Sequence, residues 1–426
     1  MSNFDRRILI IVENLPVPFD TRVWQEATTL AAAGYTVSVI SPKGKGYTRD
    51  EEFLDGVHIF RHELPPEGNG PVGYLREYSS ALCEEIRLAK KVYEQIGFDV
   101  IHGCNPPDDI YLVARQFKMR GVKYVFDHHD ICPELFEAKF DNADGPSDGP
   151  ERGKHGLPHK KLRKTLRRAV YGTLYGSQLF FEKQTYRHCS FAFVTNESYK
   201  KIAIERGGMD PERVIVLRSG PKLERMRIME PVESIRRGYK YMVGYLGVIG
   251  QQEGVEYILE AAKYIKERDN NVFWGIVGGG PHLEALRKQA HDMGLDDCVE
   301  FTGRVPDQQM LEYLNTADVC VNSDKYNSMN DKSTMNKILE YMALAKPIVQ
   351  FDLTEGRYSA RDASLYARNN DAADMAEKVI ELLNDPEKRR RMGEYGRRRV
   401  IEELSWEHTS KALLEGYDKF FTGQFE

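Results

Sequence analysis

The sequence lacks the features that mark several common protein classes. Its six cysteines form no Cys-x-x-Cys pair and match no zinc spacing, so we expect reduced thiols in a cytoplasmic protein. Apolar runs stay well below the roughly 20 residues that a membrane-spanning helix needs. The net charge of −5 over 426 residues gives no overall attraction for nucleic acid, and we expect no nucleic-acid partner.

What the sequence does contain is an alternation of short apolar runs with helix-period segments. Arg7 to Val12 and Thr36 to Ile40 flank the helical pattern Thr21 to Ala33, which predicts a strand–helix–strand unit of a parallel sheet. A second series of five short β-rich runs begins at Tyr241. The pattern predicts an α/β protein with two Rossmann-like doubly wound domains, residues 1–220 and 221–404, facing each other across a cleft.

Ligands of open α/β sheets bind at the carboxyl ends of the strands. After the run 272–277 comes Gly278-Gly279-Gly280-Pro281, whose backbone amides could approach a phosphate. This turn has neither the Walker nor the Gly-x-Gly-x-x-Gly spacing, and a tight turn that only packs is an equally good interpretation. Gly303-Arg304-Val305 follows the next run and could contact a base edge.

The segment from Asp331 to Phe351 is the most informative part of the second half. Ser333 or Thr334 is a plausible N-cap for a helix from Met335 to Leu344, and the amides at its start favour a diphosphate. Glu340 lies deeper in this helix among apolar neighbours, where a carboxylate needs hydrogen-bond donors such as ribose hydroxyls. The predicted donor-binding residues are Gly247, Gly279, Gly280, Gly303, Arg304, Val305, Asp331, Lys332, Ser333, Thr334, Met335, Asn336 and Glu340.

In the first half, Asp127-His128-His129-Asp130 follows a predicted strand. A histidine in such a loop can accept a proton or hydrogen-bond a sugar. Other polar residues at strand ends can contact an acceptor, although a structural pair of Asp20 with Arg22 and backbone bonds of His102 and Asn105 are equally good interpretations. The predicted acceptor-binding residues are Asn14, Asp20, Arg22, His102, Asn105, His128 and Asp130.

A basic stretch follows a Gly-, Pro- and Asp-rich segment, 141–158, that we expect to be an exposed loop. Residues 152–188 hold ten Lys or Arg and one acid, and residues 169–181 carry no charge. We expect residues 152–181 to dock on an anionic membrane surface. The alternative is a core helix of the first domain that packs closely through Gly172 and Gly176.

Several motifs together resemble the family-four retaining glycosyltransferases of the GT-B fold, of the bacterial polysaccharide and glycolipid type. They are Pro-Phe-Asp-x-Arg-Val (18–23), Phe-Asp-His-His-Asp (126–130), Gly-Tyr-Leu-Gly (244–247), Gly-Gly-Gly-Pro (278–281), Phe-x-Gly-x-Val-Pro (301–306) and Leu-Glu-Tyr-Met-Ala-x-x-Lys-Pro-Ile-Val (339–349). The resemblance implies that His129 is the loop histidine and Glu340 the second glutamate of the family's pair. It also implies that a final helix, 405–426, crosses back onto the first domain.

The sequence departs from the family pattern at two places. Lys332 stands where the first glutamate of the pair is expected, and the loop 248–254 carries no Arg or Lys to hold a diphosphate. The candidate cations are then Arg218, Lys325, Lys332 and Lys337, of which Lys337 is preferred. We therefore predict His129, Glu340 and Lys337 as catalytic residues.

The predicted function is transfer of a sugar from a nucleoside-diphosphate sugar, with a UDP-sugar favoured, to a glycan or lipid-linked acceptor. No Asp-x-Asp motif occurs, so we expect no metal and no further cofactor; retention of configuration is implied by the resemblance. Two alternatives stay open, a nucleotide-sugar epimerase of the same fold and a non-catalytic nucleotide-sugar-binding subunit. The expected location is the cytoplasm, at the inner face of the plasma membrane.

Overall fold

A computed structural model describes residues 6–64, 70–140, 158–268 and 271–425 of the chain. The chain divides into two compact units. The first comprises Met1–Leu217 and Ser410–Glu426, and the second comprises Arg218–Thr409. The predicted loop 141–158 lies outside the described residues except for its last residue.

The first unit is built on an eight-stranded sheet. Its strand order is β3-β4-β2-β1-β5-β6-β7-β8, and every pairing is parallel except that of β3 with β4. The hairpin between β3 and β4 turns at Asp55 and Gly56, both at positive φ, as a two-residue Asp-Gly turn requires. The strands are β1 Arg7–Val12, β2 Thr36–Pro42, β3 Glu51–Leu54, β4 Val57–His62, β5 Val100–Cys104, β6 Lys123–His128, β7 Phe191–Val194 and β8 Val214–Val216.

Helices connect the parallel strands of this unit, as right-handed crossovers require. They are α1 Thr21–Ala32, α2 Gly70–Gln95, α3 Tyr111–Phe117, α4 Cys132–Phe140, α5 Pro158–His188 and α6 Glu197–Glu205. Within the described residues, no helix has the length and apolarity needed to cross a membrane.

The second unit contains a six-stranded parallel sheet of order β11-β10-β9-β12-β13-β14. Five of its strands lie in the five predicted runs, whereas β14, Ser-Leu-Tyr-Ala, lacks the continuous apolar run by which the others were recognised. The predicted class of two doubly wound α/β domains is confirmed. The strands are β9 Tyr241–Leu246, β10 Val272–Val277, β11 Val299–Gly303, β12 Val319–Asn322, β13 Ile348–Phe351 and β14 Ser364–Ala367.

The helices of the second unit lie between these strands and after the last one. They are α7 Val255–Lys266, α8 Leu283–Asp292, α9 Asp307–Thr316, α10 Asn336–Ala343, α11 Thr354–Ala360, α12 Ala372–Asn384 and α13 Pro386–Arg399. The last helix, α14 Trp406–Phe421, begins in the second unit and joins the first from Ser410 onward. A Cβ on its Gly416 would lie 2.8 Å from Ile215, so this glycine permits close packing on the first sheet.

The start of α10 differs from the prediction. The helix begins at Asn336, and the preceding Met335 is extended. Ser333 does not cap it, because its hydroxyl donates to the Met329 carbonyl at 2.8 Å. The Thr334 hydroxyl accepts from Arg218 Nη1 at 3.4 Å. The N-cap pattern was misleading because the Ser333 hydroxyl bonds the preceding turn and the Thr334 hydroxyl bonds the distant Arg218, while Met335 holds the N-cap position.

Candidate functional site

Two glycine-containing loops lie against each other at the carboxyl end of β9 and β10. The Ile249 amide donates to the Gly279 carbonyl at 3.1 Å. A Cβ on Gly278 would lie 1.8 Å from the Gly247 carbonyl oxygen, and one on Gly280 would lie 2.4 Å from that of Ile249. Glycine is therefore required at 278 and 280 for packing of backbone on backbone, which is the alternative interpretation given above. Gly279 and Gly303 have open space around them in comparison.

Lys337 extends from the first turn of α10 toward the loop that follows β9. Its Nζ lies 3.0 Å from both carboxylate oxygens of Asp324 and 3.5 Å from the Tyr245 hydroxyl. A Cβ on Gly247 would lie 3.2 Å from the Lys337 Cε. This lysine thus stands beside the loop in which the family's usual cations are missing, and Asp324 holds it there.

Glu340 lies one turn further along α10 and is paired with Arg225. Arg225 Nη1 is 3.2 Å from Glu340 Oε1, and the same guanidinium bonds Asp307 at 2.7 Å. Burial raises the pKa of Glu340 above its usual value, and Arg225 opposes that shift. The side chain keeps 18% of its surface exposed, so it can receive hydrogen bonds from a ligand. Arg225 was missed because it lies in the charged joining segment, where nothing distinguishes it from its basic neighbours.

Two other candidate cations, Arg218 and Lys325, are held in ion pairs. Arg218 lies 3.4 Å from Glu355 and 4.2 Å from the centroid of the Tyr358 ring, and both members of the ion pair are buried. Lys325 pairs with Glu256 at 2.5 Å.

Asp331 does not fit its predicted donor contact. Its carboxylate accepts from the Thr354 amide at 2.8 Å and from the Thr354 hydroxyl at 3.0 Å, at the start of α11. The remaining predicted donor-binding side chains have accessible surface for a ligand, since each is exposed or half-buried. These residues are Arg304, Val305, Lys332, Met335 and Asn336.

In the first unit, the ends of β5 and β6 and the start of α1 bring charged side chains into one buried network. Arg22 donates to Asp127 at 2.7 Å and to the Leu217 carbonyl at 2.9 Å, and its Nε lies 3.1 Å from Glu26. Burial alone would raise the pKa of Asp127, but Arg22 and His129 bring it well below its usual range. Asp127 is therefore an ionised carboxylate.

His129 is fixed by this carboxylate. Its Nε2 makes a short contact with Asp127 Oδ2 and lies 2.8 Å from Arg22 Nε. Arg22 Nε–H points at this nitrogen, which cannot accept that bond while it donates a proton to Asp127. We assign the Nε2 proton to the contact with Asp127, because an ionised carboxylate needs a donor there. The neutral ring then has its lone pair on Nδ1. Asn105 Oδ1 accepts from the backbone amides of His129 at 2.6 Å and of Asp130 at 3.1 Å, which holds the loop.

Comparison with known families relates both halves of the chain to glycosyl transferases. Residues 20–220 match the glycosyl transferase 4-like domain, and residues 230–399 match the glycosyl transferases of group 1. Each half of the chain thus matches a glycosyl transferase family model, and the two models together cover most of its length.

Curated relatives are similar to part of the chain, and solved structures are similar to its fold. The chain is 28% identical over 184 residues to a GDP-mannose-dependent phosphatidylinositol monomannoside mannosyltransferase of Mycobacterium tuberculosis, covering 42% of the chain and 48% of the relative. The chain spans about half the length of the curated relatives it matches. Its fold is similar to that of a sucrose-phosphate synthase of Thermosynechococcus elongatus (TM-score 0.75, 18% identity, 98% and 99% coverage). It is also similar to HepE of Anabaena, solved with UDP and glucose (TM-score 0.66, 13% identity, 98% and 100% coverage).

Two predicted acceptor contacts are wrong. His102 and His128 are both fully buried. Their Nδ1 atoms lie 2.6 Å from the hydroxyls of Tyr417 and Tyr186, respectively. Both rings belong to the core of the first unit because alternate side chains of a central strand point into the helix layers.

The remaining predicted acceptor residues have different environments. Arg22 and Asn105 are buried: Arg22 bonds Asp127, and Asn105 accepts from the backbone amides of His129 and Asp130. Asp20 caps α1 by accepting from the Val23 amide at 3.1 Å. Asn14 is exposed and Asp130 is half-buried. His129, with 13% of its side chain exposed, is the member of the network that a ligand can reach.

Proposed function

We propose that the chain transfers a sugar from a nucleoside-diphosphate sugar, a UDP-sugar in the first instance, to a hydroxyl of a glycan or lipid-linked acceptor. The observation that carries the proposal is the placement of Lys337 and Glu340 on successive turns of α10, beside glycine loops at the carboxyl end of β9 and β10. The name of the mycobacterial relative specifies GDP-mannose, and HepE was solved with UDP, so the base is the first property to test.

In this proposal the second unit binds the donor. The first amides of α10 and the Lys337 ammonium stabilise the diphosphate, whose charge increases as it leaves. Glu340 accepts hydrogen bonds from the ribose hydroxyls, while Arg225 keeps it available as a carboxylate. Lys337 exchanges Asp324 for phosphate oxygens when the donor binds.

The first unit binds the acceptor in this proposal. The acceptor hydroxyl hydrogen-bonds Nδ1 of His129 and gives it its proton as the oxygen bonds to the anomeric carbon. The bond from that carbon to the diphosphate oxygen breaks with both electrons staying on the diphosphate. On the family resemblance we propose that configuration is retained and that no metal is required.

A panel of nucleoside diphosphates tests the donor site by thermal shift. Ligand at 100 times its Kd adds about 2.7 kcal/mol of stability. For a unit of this size that amounts to roughly 5–10 °C in Tm. We expect UDP to give the largest shift and 2′-deoxy-UDP a smaller one, because a ribose hydroxyl on Glu340 is lost.

The variant Glu340→Ala should abolish the difference between UDP and 2′-deoxy-UDP. Glu284→Ala, which removes an 81% exposed glutamate side chain of α8, should preserve that difference. If all nucleotides shifted Tm equally, or if the difference survived in Glu340→Ala, the donor assignment would be wrong. Incubation with UDP-sugar alone, followed by NMR, separates transfer from epimerisation, since an epimerase isomerises the sugar without an acceptor.

We also propose that α5 docks on an anionic membrane surface. Val170 is 37% exposed and Phe180 is 55% exposed. Among the described residues, a Cβ on Gly172 or Gly176 would meet nothing within 4 Å, so these glycines do not pack closely against the described core. An open, uncharged helical stretch that follows a run of Lys and Arg in sequence suits the interface of an anionic bilayer.

Vesicle co-sedimentation tests this docking. Phe180→Glu should weaken binding to phosphatidylglycerol-containing vesicles by about tenfold or more, because burial of a phenyl ring contributes ~1.5–3 kcal/mol. Met119→Glu is the matched control, since Met119 is 98% exposed just after α3. Equal binding to vesicles of phosphatidylcholine alone, or no binding at all, would contradict the proposal.

A further inference from the structure

Glu26 is a fully buried carboxyl group to which the proposed sugar transfer assigns no role. It lies on α1, and in the described part of the chain neither of its oxygens has a well-directed hydrogen bond. Its Oε1 is 3.1 Å from Arg22 Nε, and its Oε2 is 3.4 Å from His102 Nε2. A buried acid is costly to keep, so its contacts with the His129 network call for an explanation.

The charges of this pocket fix the state of Glu26. One oxygen of Glu26 and one of Asp127 lie within 4.8 Å of each other, and Arg22 is the guanidinium that touches both residues. If both acids were ionised, one negative charge would stay uncompensated in a pocket without exposed surface. A neutral Glu26 leaves a balanced pair of Arg22 with Asp127. The groups that face Glu26 are Asp20 and Arg22, His102 and Cys104 of β5, Asp127 and His129 at the end of β6, and Tyr417 of α14.

The shifts of the pKa values in this pocket support the same state. Burial and the neighbouring Asp127 raise the pKa of Glu26 well above its usual value, with Arg22 opposing. Burial lowers the pKa of His102, so that ring stays neutral. The direction of both shifts agrees with the charge balance in favouring the protonated form of Glu26, which becomes a carboxylate as pH rises through its raised pKa.

Four of these side chains could also surround a metal ion, namely Glu26, His102, Cys104 and Asp127. The guanidinium of Arg22 argues against that reading, because it already lies 2.7 Å from Asp127 and 3.1 Å from Glu26. A metal ion would have to bind beside this fixed positive charge. The pocket is better explained by a proton on Glu26.

We propose that Glu26 is a positioning residue. As a neutral acid it does not compete with Asp127 for the guanidinium of Arg22, so the Arg22–Asp127 ion pair stays intact. Asp127 then holds His129 with Nδ1 toward the acceptor. Once ionised, Glu26 competes with Asp127 for Arg22 and repels Asp127. The Nε2–H bond that orients His129 is then weakened. The consequence for catalysis rests on the proposed function, whereas the orientation of His129 does not.

Glu26→Gln tests the proposal, because an amide has the shape of the neutral acid and cannot ionise. In the wild type we expect kcat to fall on the alkaline side while the donor KM stays unchanged, and in Glu26→Gln we expect that fall to disappear. Glu85→Gln is the control, since Glu85 is equally buried, its pKa is also raised by burial, and Glu13 and Asp109 are its acidic neighbours. The control should keep the wild-type profile. An identical alkaline fall in Glu26→Gln would overturn the proposal.

A second measurement does not depend on sugar transfer. The ¹⁵N shifts of labelled histidines, with His129 assigned through His129→Gln, report which ring nitrogen carries the proton. We expect His129 to hold its proton on Nε2, and this preference to weaken at alkaline pH in the wild type but not in Glu26→Gln. If His129 did not respond to Glu26→Gln, the positioning role would be refuted even in an active enzyme. One equivalent of metal in the purified chain, lost in Glu26→Gln, would refute it as well.

Discussion

Replacement of His129 by alanine should lower the rate of sugar transfer by roughly 10²–10⁴-fold, the usual contribution of a positioned acid–base group. The loss should appear in kcat, because Nδ1 acts on the proton of the acceptor hydroxyl in the transition state. We expect the melting temperature to change little, since the ring is partly exposed and Arg22 still neutralises Asp127. Initial rates with saturating donor and acceptor, together with a thermal melt, measure both effects.

His58→Ala is the control for this experiment. His58 lies on β4, which β2, β1 and β5 separate from β6 in the sheet. It should leave the rate unchanged, and any loss of activity there would point to a general defect of the first unit. A His129→Ala variant that retained full kcat would exclude His129 as the base.

The second large effect is expected at Lys337. Lys337→Met should weaken binding of the nucleoside diphosphate by about 10–100-fold, because hydrogen bonds to a charged group contribute ~1.5–3 kcal/mol. The same change leaves the Asp324 side chain, which is only 3% exposed, without its ion-pair partner. Loss of one partner of a buried pair costs about 3–5 kcal/mol of stability. Calorimetric titration with UDP and chemical denaturation measure the two quantities separately.

A double variant separates the two roles of Lys337. In Lys337→Met/Asp324→Asn a neutral amide replaces the buried carboxylate of Asp324, so stability should largely recover while nucleotide affinity stays low. If affinity recovered together with stability, Lys337 would act only as the partner of Asp324. Another group would then have to stabilise the diphosphate.

The sheets could be predicted from the sequence because parallel strands buried on both faces produce continuous apolar runs. The five runs of the second half correspond to five strands in this way. The hairpin of β3 with β4 and the strand β14 were not identified. β3 and β14 are edge strands, which need no such run, and the internal β4 is interrupted by His58 and Arg61. The pattern Asp55-Gly56 was a usable signal for that hairpin.

The candidate site was predictable only where it depends on local chemistry. The sequence indicated His129 because it follows a strand and Lys337 because it lies in the first turn of a helix. It indicated Glu340 because a carboxylate among apolar neighbours needs donors and because the position matches a family motif. It could not indicate that Arg225 pairs with Glu340 or that Asp324 pairs with Lys337, because those partners are 115 and 13 residues apart in the chain. The assignments of His102 and His128 failed for a related reason. A histidine at the end of a strand has the same sequence signal whether its ring points to a ligand or into the core.

The two ends of the first sheet have a further consequence, for self-association. A sheet that ends in a long, flat, apolar strand offers its unpaired amides and carbonyls to other copies of the chain. Here the terminal strands have four residues, Glu51–Leu54, and three residues, Val214–Val216, and the first begins with two acids. Short length at both ends, and like-charge repulsion at the β3 end, therefore discourage strand pairing between copies of the chain.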